Sequence, residues 1–186
     1  RELCQGTETI PQVAVLHSEA HVLRHRGVNL MWRVDPAAVQ GATYSLLENA
    51  YHVDILDEWA LLPELDRFPV VVAPEQAEMS DAMVAALKRY VEGGGKLLVS
   101  GAGMVERFGE AFLGVRGGEG EGPGTYHVPV GHGAVPVYSA SWRLVDAAMA
   151  EGIGQLGTSD LPDERLPAAP AWTLNRVGAG AVALLP

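Results

Sequence analysis

Short apolar runs and helical stripes alternate through the first two-thirds of this chain. Gln12-Val13-Ala14-Val15-Leu16-His17, just behind Pro11, predicts a buried strand. The residues after it are polar and then basic (Ser18, Glu19, His21, Arg24-His25-Arg26) and read as a solvated loop. Asp35-Pro36 predicts a helix start, a side-chain cap followed by proline at the first helical position, where its missing N–H does no harm. Val39, Thr43, Leu46, Leu47 and Ala50 then recur at helical spacing, with Gly41 weakening the stripe. Residues 52–56 alternate enough for a strand near a sheet edge. Phe68-Pro69-Val70-Val71-Val72-Ala73-Pro74 is continuously apolar and β-branched, the pattern of a strand covered on both faces.

The best-marked helix comes next. Ser80 can accept a first-turn N–H, Asp81 suits the positive end of the helix dipole, and Met79 and Val84 are spaced for a hydrophobic staple. Met83, Val84, Leu87, Tyr90 and Val91 form its apolar stripe, with Lys88 and Arg89 near its negative end. Gly93-Gly94-Gly95 stops it and turns the chain into a fourth strand, residues 96–99. Strand, helix, strand, strand, helix, strand at these spacings predicts a parallel sheet with helices on both faces.

From Gly114 the pattern changes to a β-rich C-terminal portion. Gly117-Gly118-Glu119-Gly120-Glu121-Gly122-Pro123-Gly124 reads as a mobile loop. Residues 126–130 and 134–138 are β-like, residues 144–150 read as a short helix, and residues 158–170, with Pro162, Pro167 and Pro170, as another loop. Residues 171–175 and 181–185 flank 176–180 as a closing hairpin. No internal repeat and no second domain are visible, so residues 1–186 read as one domain.

Charge and composition narrow the function classes. A net charge of −10 offers no basic stripe for a phosphate backbone, which argues against nucleic acid as a partner. No apolar run reaches the roughly 20 residues of a membrane span, so no membrane partner is expected, and the expected location is cytoplasmic. The lone cysteine, Cys4, excludes an internal disulfide. The start, Arg1-Glu2-Leu3-Cys4, is neither an initiator methionine nor a signal peptide, and reads as a piece excised from a longer polypeptide.

Four stretches together carry a family likeness: residues 11–17, residues 68–74, the run Lys88-Arg89-Tyr90-Val91-Glu92-Gly93-Gly94-Gly95-Lys96-Leu97-Leu98-Val99-Ser100-Gly101, and residues 170–182, Pro-Ala-Trp-Thr-Leu-Asn-Arg-Val-Gly-Ala-Gly-Ala-Val. In this order they resemble the trimerisation domain of microbial β-galactosidases, an amidotransferase-like α/β domain that follows the catalytic barrel. The resemblance implies a flavodoxin-like, class I glutamine amidotransferase-like fold. It implies a barrel domain of the parent glycosidase as partner, and a homo-oligomer. Its acid and nucleophile glutamates lie on the barrel, so this piece is expected to cleave no sugar and to need no cofactor. A class I glutamine amidotransferase places its nucleophilic cysteine at the turn after the fourth strand; this turn holds Ser100, Gly101 and Ala102.

Ligands of parallel sheets bind beyond the carboxyl ends of the strands. Ser18, Glu19, Glu75, Ser100, Gly101 and Ala102 therefore form the candidate ligand crevice, and a small-ligand or carbohydrate-binding domain is the alternative function. Glu19 and Glu75 are expected to converge there, as acid–base partners or, more blandly, as helix and loop caps. Val99-Ser100-Gly101 lacks the glycine that precedes a hydrolase serine, so no catalytic residue is assigned. His17, His21 and His25, and His127 and His132, have no cysteine or aspartate cluster beside them, and no metal site is assigned. Gly178-Ala179-Gly180 opens no helix and is not a dinucleotide fingerprint. Trp32, Trp59, Leu61 and Leu62 are weighed as interface anchors against a role covering the sheet edge.

Overall fold

A computed structural model describes residues 10, 12–25, 37–161 and 166–186. Cys4, Pro11, Arg26, Trp32, Asp35, Pro36 and Pro162 lie outside the described residues, and the expectations that rest on them with them. The sheet begins with β1 (Val13–Leu16), which pairs in parallel with β2 (Val53–Leu56) on one side and β3 (Val70–Pro74) on the other, Val15 opposite both Ile55 and Val72. β4 (Lys96–Ser100) continues the parallel array. The β12 (Trp172–Val177) and β13 (Gly180–Leu185) hairpin then inserts β13 parallel to β4 as the fifth strand. β9 (Glu151–Ile153) closes the far edge against β12. Among the described residues the result is a seven-stranded sheet in the order β2-β1-β3-β4-β13-β12-β9. Its five parallel members follow the doubly wound order of flavodoxin-like sheets.

Period-two alternation assigns the two faces. Val13, Val15 and Val72 point toward α2 (Ala37–Glu48), where Val39 completes a small apolar cluster. Ala14, Leu16, Val71 and Ala73 point the other way, into the main core with α4 (Asp81–Glu92), whose Met83, Leu87 and Val91 are fully buried. The α4 cap forms as its sequence demands: Ser80 Oγ accepts the Met83 N–H at 3.1 Å, and Met79 and Val84 are both buried. Tyr90 ties the helix to the sheet by donating its hydroxyl to Phe68 O at 2.9 Å. Gly180 lets β13 slide against the end of α4, since a Cβ there would lie 2.2 Å from both Val91 O and Gly95 O.

Four expectations are corrected. The polar stretch after the first strand is a helix, α1 (Glu19–His25), opened by Ser18, whose Oγ accepts the His21 N–H at 3.3 Å. His21 and His25, and Arg24 beside them, are thus helical rather than in a loop. Three short elements join it unannounced: α3 (Glu58–Leu61), α5 (Gly103–Phe108) and α6 (Glu110–Leu113). The glycine-rich segment is ordered as β5 (Val115–Glu121) and the start of β6 (Gly124–Val130). Residues 144–150 are not helical: β8 (Trp142–Ala147) pairs antiparallel with β5, Val145 opposite Gly117. The tight fit of bare glycine backbone against β8 explains both changes, since a Cβ on Gly118 would approach Leu144 O to 2.9 Å. Finally, the proline-rich loop contains β11 (Pro167–Ala169), which joins β10 (Leu156–Gly157), β6 and β7 (Gly133–Ser139) in a small antiparallel sheet.

Candidate functional site

The strand order reverses between β1 and β3, and there the chain has filled the crevice with its own polar groups. Ser18, fully buried, donates its backbone N–H to Gln76 Oε1 at 2.8 Å, while Gln76 Nε2 donates to Pro74 O at 3.0 Å. The Ser18 and Ser80 hydroxyls both donate to the Glu58 carboxylate, which also accepts the Ser80 N–H at 3.1 Å on each oxygen. Each hydroxyl meanwhile accepts from a helix N-terminus, α1 or α4. Glu58 itself is held by α3, which Asp57 caps by accepting the Ala60 N–H at 2.8 Å. One carboxylate thus fastens three helix starts, and its lone pairs are occupied by protein donors. Within the protein this carboxylate acts as a clamp, and it also faces the cavity that Glu19 lines.

Glu19 and Glu75 do not share a crevice. Glu19 lines a cavity of about 740 Å³ with Ala20, Asp57, Trp59, Leu62, Pro63 and the clamp residues Glu58 and Ser80. Glu75 lines a second cavity, of about 260 Å³, with Ser100, Gly101, Tyr138, Trp142 and Trp172. Ser18 belongs to the clamp, and Ala102 caps α5 with no side-chain bond. The crevice expected from sequence is therefore divided, and only Glu75, Ser100 and Gly101 remain together.

The turn after β4 defines what that group can do. Its left-handed residue is Gly101 at φ +100°, not Ser100, so the apex of the strand-to-helix turn carries no side chain. Glu75, itself at φ +55°, lies over it, and its N–H donates to Ser100 O at 2.9 Å. Among the described residues no three His, Cys, Asp or Glu side chains gather as a metal site. Of the anchors weighed, Trp59 is 86% exposed, Leu62 partly buried, and Leu61 fully buried in the core. Gln76, Tyr138 and Trp142, which sequence reasoning did not select, became visible only once strands distant in the chain were brought together.

Comparison with known proteins places the fold. No family model matches the chain, and no curated protein matches it. Among solved structures, 97% of the chain is similar to Gan42B, a GH42 β-galactosidase from G. stearothermophilus, with 18% identity and a TM-score of 0.74. The β-galactosidase from Bacillus circulans sp. alkalophilus is matched over 97% of the chain, with 14% identity and a TM-score of 0.73. The chain spans only 28% and 29% of those two proteins. A cytoplasmic protein from Salmonella typhimurium LT2 has the same architecture over 86% of its own length, with 12% identity and a TM-score of 0.59.

Proposed function

We propose that this chain is a non-catalytic accessory domain of a larger glycoside hydrolase, amidotransferase-like in fold, and that it mediates subunit assembly. The observation that carries the reading is the match of nearly the whole chain to little more than a quarter of two β-galactosidases. The bare apex at Gly101 supports the non-catalytic half: an elbow of this kind works by lifting a nucleophile, and here there is none to lift. In this reading the partners are the barrel of the parent glycosidase and further copies of the domain, in the cytoplasm.

An apolar edge supports the assembly half. β2 is the outer strand of the sheet, and Tyr44 and Leu47 of α2 and Ile55 of β2 are all at least half exposed beside it. Among the described residues no strand pairs with the outer edge of β2, and exposed apolar side chains beside such an edge are characteristic of contact surfaces. Among the described residues no helix is long and apolar enough to cross a membrane.

Sedimentation of the purified chain, paired with hydrolysis assays on nitrophenyl glycosides, tests both halves. Self-association without turnover is expected. A monomer at about 100 μM, a concentration at which even a weak interface is populated, would overturn assembly. Turnover that disappears in Ser100→Ala would overturn the non-catalytic reading.

A further inference from the structure

The cavity between the main sheet and the small sheet has a chemistry that assembly does not use. We propose that it binds a flat aromatic small molecule of up to two fused rings, packed against Trp142, Trp172 and Tyr138. This role stands apart from the accessory-domain reading and needs no parent enzyme.

The cavity arises from how the main sheet is covered. Parallel strands bury both faces. On one face α2 packs over β1, β2 and β3. Beyond it, Ser100, Leu185 and Trp172 form a row across β4, β13 and β12: Leu185 pairs with Ser100, and Trp172 lies one step before the Thr173–Leu184 pair. The small sheet faces this row across a space of about 260 Å³, with Val128, Val137 and Leu156 on its side. Leu185 and Trp172 accordingly stay 39% and 38% exposed. Apolar groups held around such a space gain from a guest that takes the place of water beside them.

The walls select the ligand. Trp142 is buried, donates its indole N–H to Gly124 O at 3.0 Å, and meets the ring of Tyr126 edge-on with centroids 5.0 Å apart. Its orientation is therefore set before any ligand arrives, which lowers the cost of binding. Trp172 and Tyr138 add two partly exposed rings to the same cavity. Aromatic side chains favour aromatic partners, stacked with an offset or edge to face, beyond what burial alone gives. Size fits as well: an apolar cavity of roughly 150 Å³ holds benzene, so about 260 Å³ accommodates two fused rings. The Ser100 hydroxyl on the wall can donate or accept, which suits a ligand with one polar group, a phenol or an indole-type N–H. The Ser139 hydroxyl is already donated to Ser141 O at 2.6 Å. Recognition through these rings does not depend on the state of Glu75, elsewhere on the wall.

Calorimetry and ligand fluorescence on the intact chain test this with 2-naphthol, against its saturated counterpart decahydro-2-naphthol, which is too thick to stack. Saturable binding of 2-naphthol is expected, with Kd about 0.1–1 mM, as suits a ligand of this size. Decahydro-2-naphthol should bind at least about fivefold more weakly. Trp172→Ala should weaken 2-naphthol binding about tenfold. Val137→Trp, which puts an indole into the space, should abolish it. Val137 is 38% exposed, so its variant is expected to fold and decides alone if Trp172→Ala does not. Titrations at two protein concentrations separate this role from assembly. Absence of saturation, unchanged affinity in the folded variants, or equal binding of the saturated ring would each overturn the proposal. So would an affinity that falls as the chain self-associates, since a second copy would then fill the cavity.

Discussion

A Cβ placed on Gly101 would stand 2.7 Å from the Cγ of Glu75, so the side chain at the end of β3 occupies the space above the apex of the turn after β4. Both residues have left-handed backbones, at φ +100° and +55°, on adjacent strand ends. A side chain at the apex and Glu75 in its present place exclude one another. Gly101→Ala should therefore cost about 1–3 kcal/mol of stability, from the strained φ and the collision together. In a Glu75→Gly background the collision disappears, and the cost of Gly101→Ala should shrink by about 1 kcal/mol, the coupling expected of residues in contact. Urea denaturation of the four proteins of the cycle measures it, and strict additivity would refute the contact.

Glu58 is the second test of what the strand ends are for. Its carboxylate accepts from Ser18 Oγ, Ser80 Oγ and the Ser80 N–H. Glu58→Gln keeps the shape but replaces one acceptor oxygen with a donor facing other donors. A loss of about 1–3 kcal/mol is expected, the usual cost of leaving a buried hydrogen-bonding group without its partner. Amide exchange should speed up at the starts of α1 and α4 together, because one group fastens both. Exchange confined to α3 would show that the clamp does not act as a unit.

The way the sequence disclosed this molecule follows from how far apart interacting residues lie. β1, β3, β4 and α4 were readable because each carries its own signal: an apolar run, a cap at Ser80, a stop at Gly93. The helix α1 escaped notice although Ser18 followed by Glu19 is a cap with an acidic first turn, because seven residues leave too few periods for a stripe. Residues 144–150 read as a short helix, and the true state of 142–147 depends on pairing with β5 some thirty residues earlier, which local propensity cannot register. The candidate crevice was legible only as a set of strand ends. Its division into a clamp and two cavities depends on Gln76, Glu58 and the small sheet, none of which announces its partner along the chain.

Tyr90 gives a pH dependence with a definite sign. Burial raises its hydroxyl above the ordinary 10.0, partly offset by the hydrogen bond with the Lys96 backbone, and the negative charge of Asp66 adds a smaller upward push. The unfolded chain therefore loses this proton at lower pH than the folded one. The contribution of Tyr90 is complete below about pH 10 and falls as pH rises from there toward the folded value. Tyr90→Phe should cost about 1 kcal/mol at neutral pH by leaving Phe68 O without its donor. The gap between the two proteins should narrow as pH rises from about 9 to about 11. A gap that stays constant or widens in denaturation at those pH values would contradict the assignment.

The edge formed by α2 and β2 makes the assembly proposal specific. Ile55 lies on the same side of β2 as Val53, which packs under α2, yet Ile55 is 50% exposed and Leu47 53%. Neither supports the core, so charging them should spare the fold: surface substitutions of this kind usually change stability by only about 0.5 kcal/mol. An interface centred on them would instead be broken, because two carboxylates would be buried without partners, on a chain already at −10. The expected result is that Leu47→Glu combined with Ile55→Glu sediments as a monomer with an unchanged melting curve, while the unmodified chain self-associates. Trp59→Ala, altering an exposed side chain on α3, serves as the comparison. If it alone disrupts association, the contact runs through α3, and the β2 edge is left as plain surface.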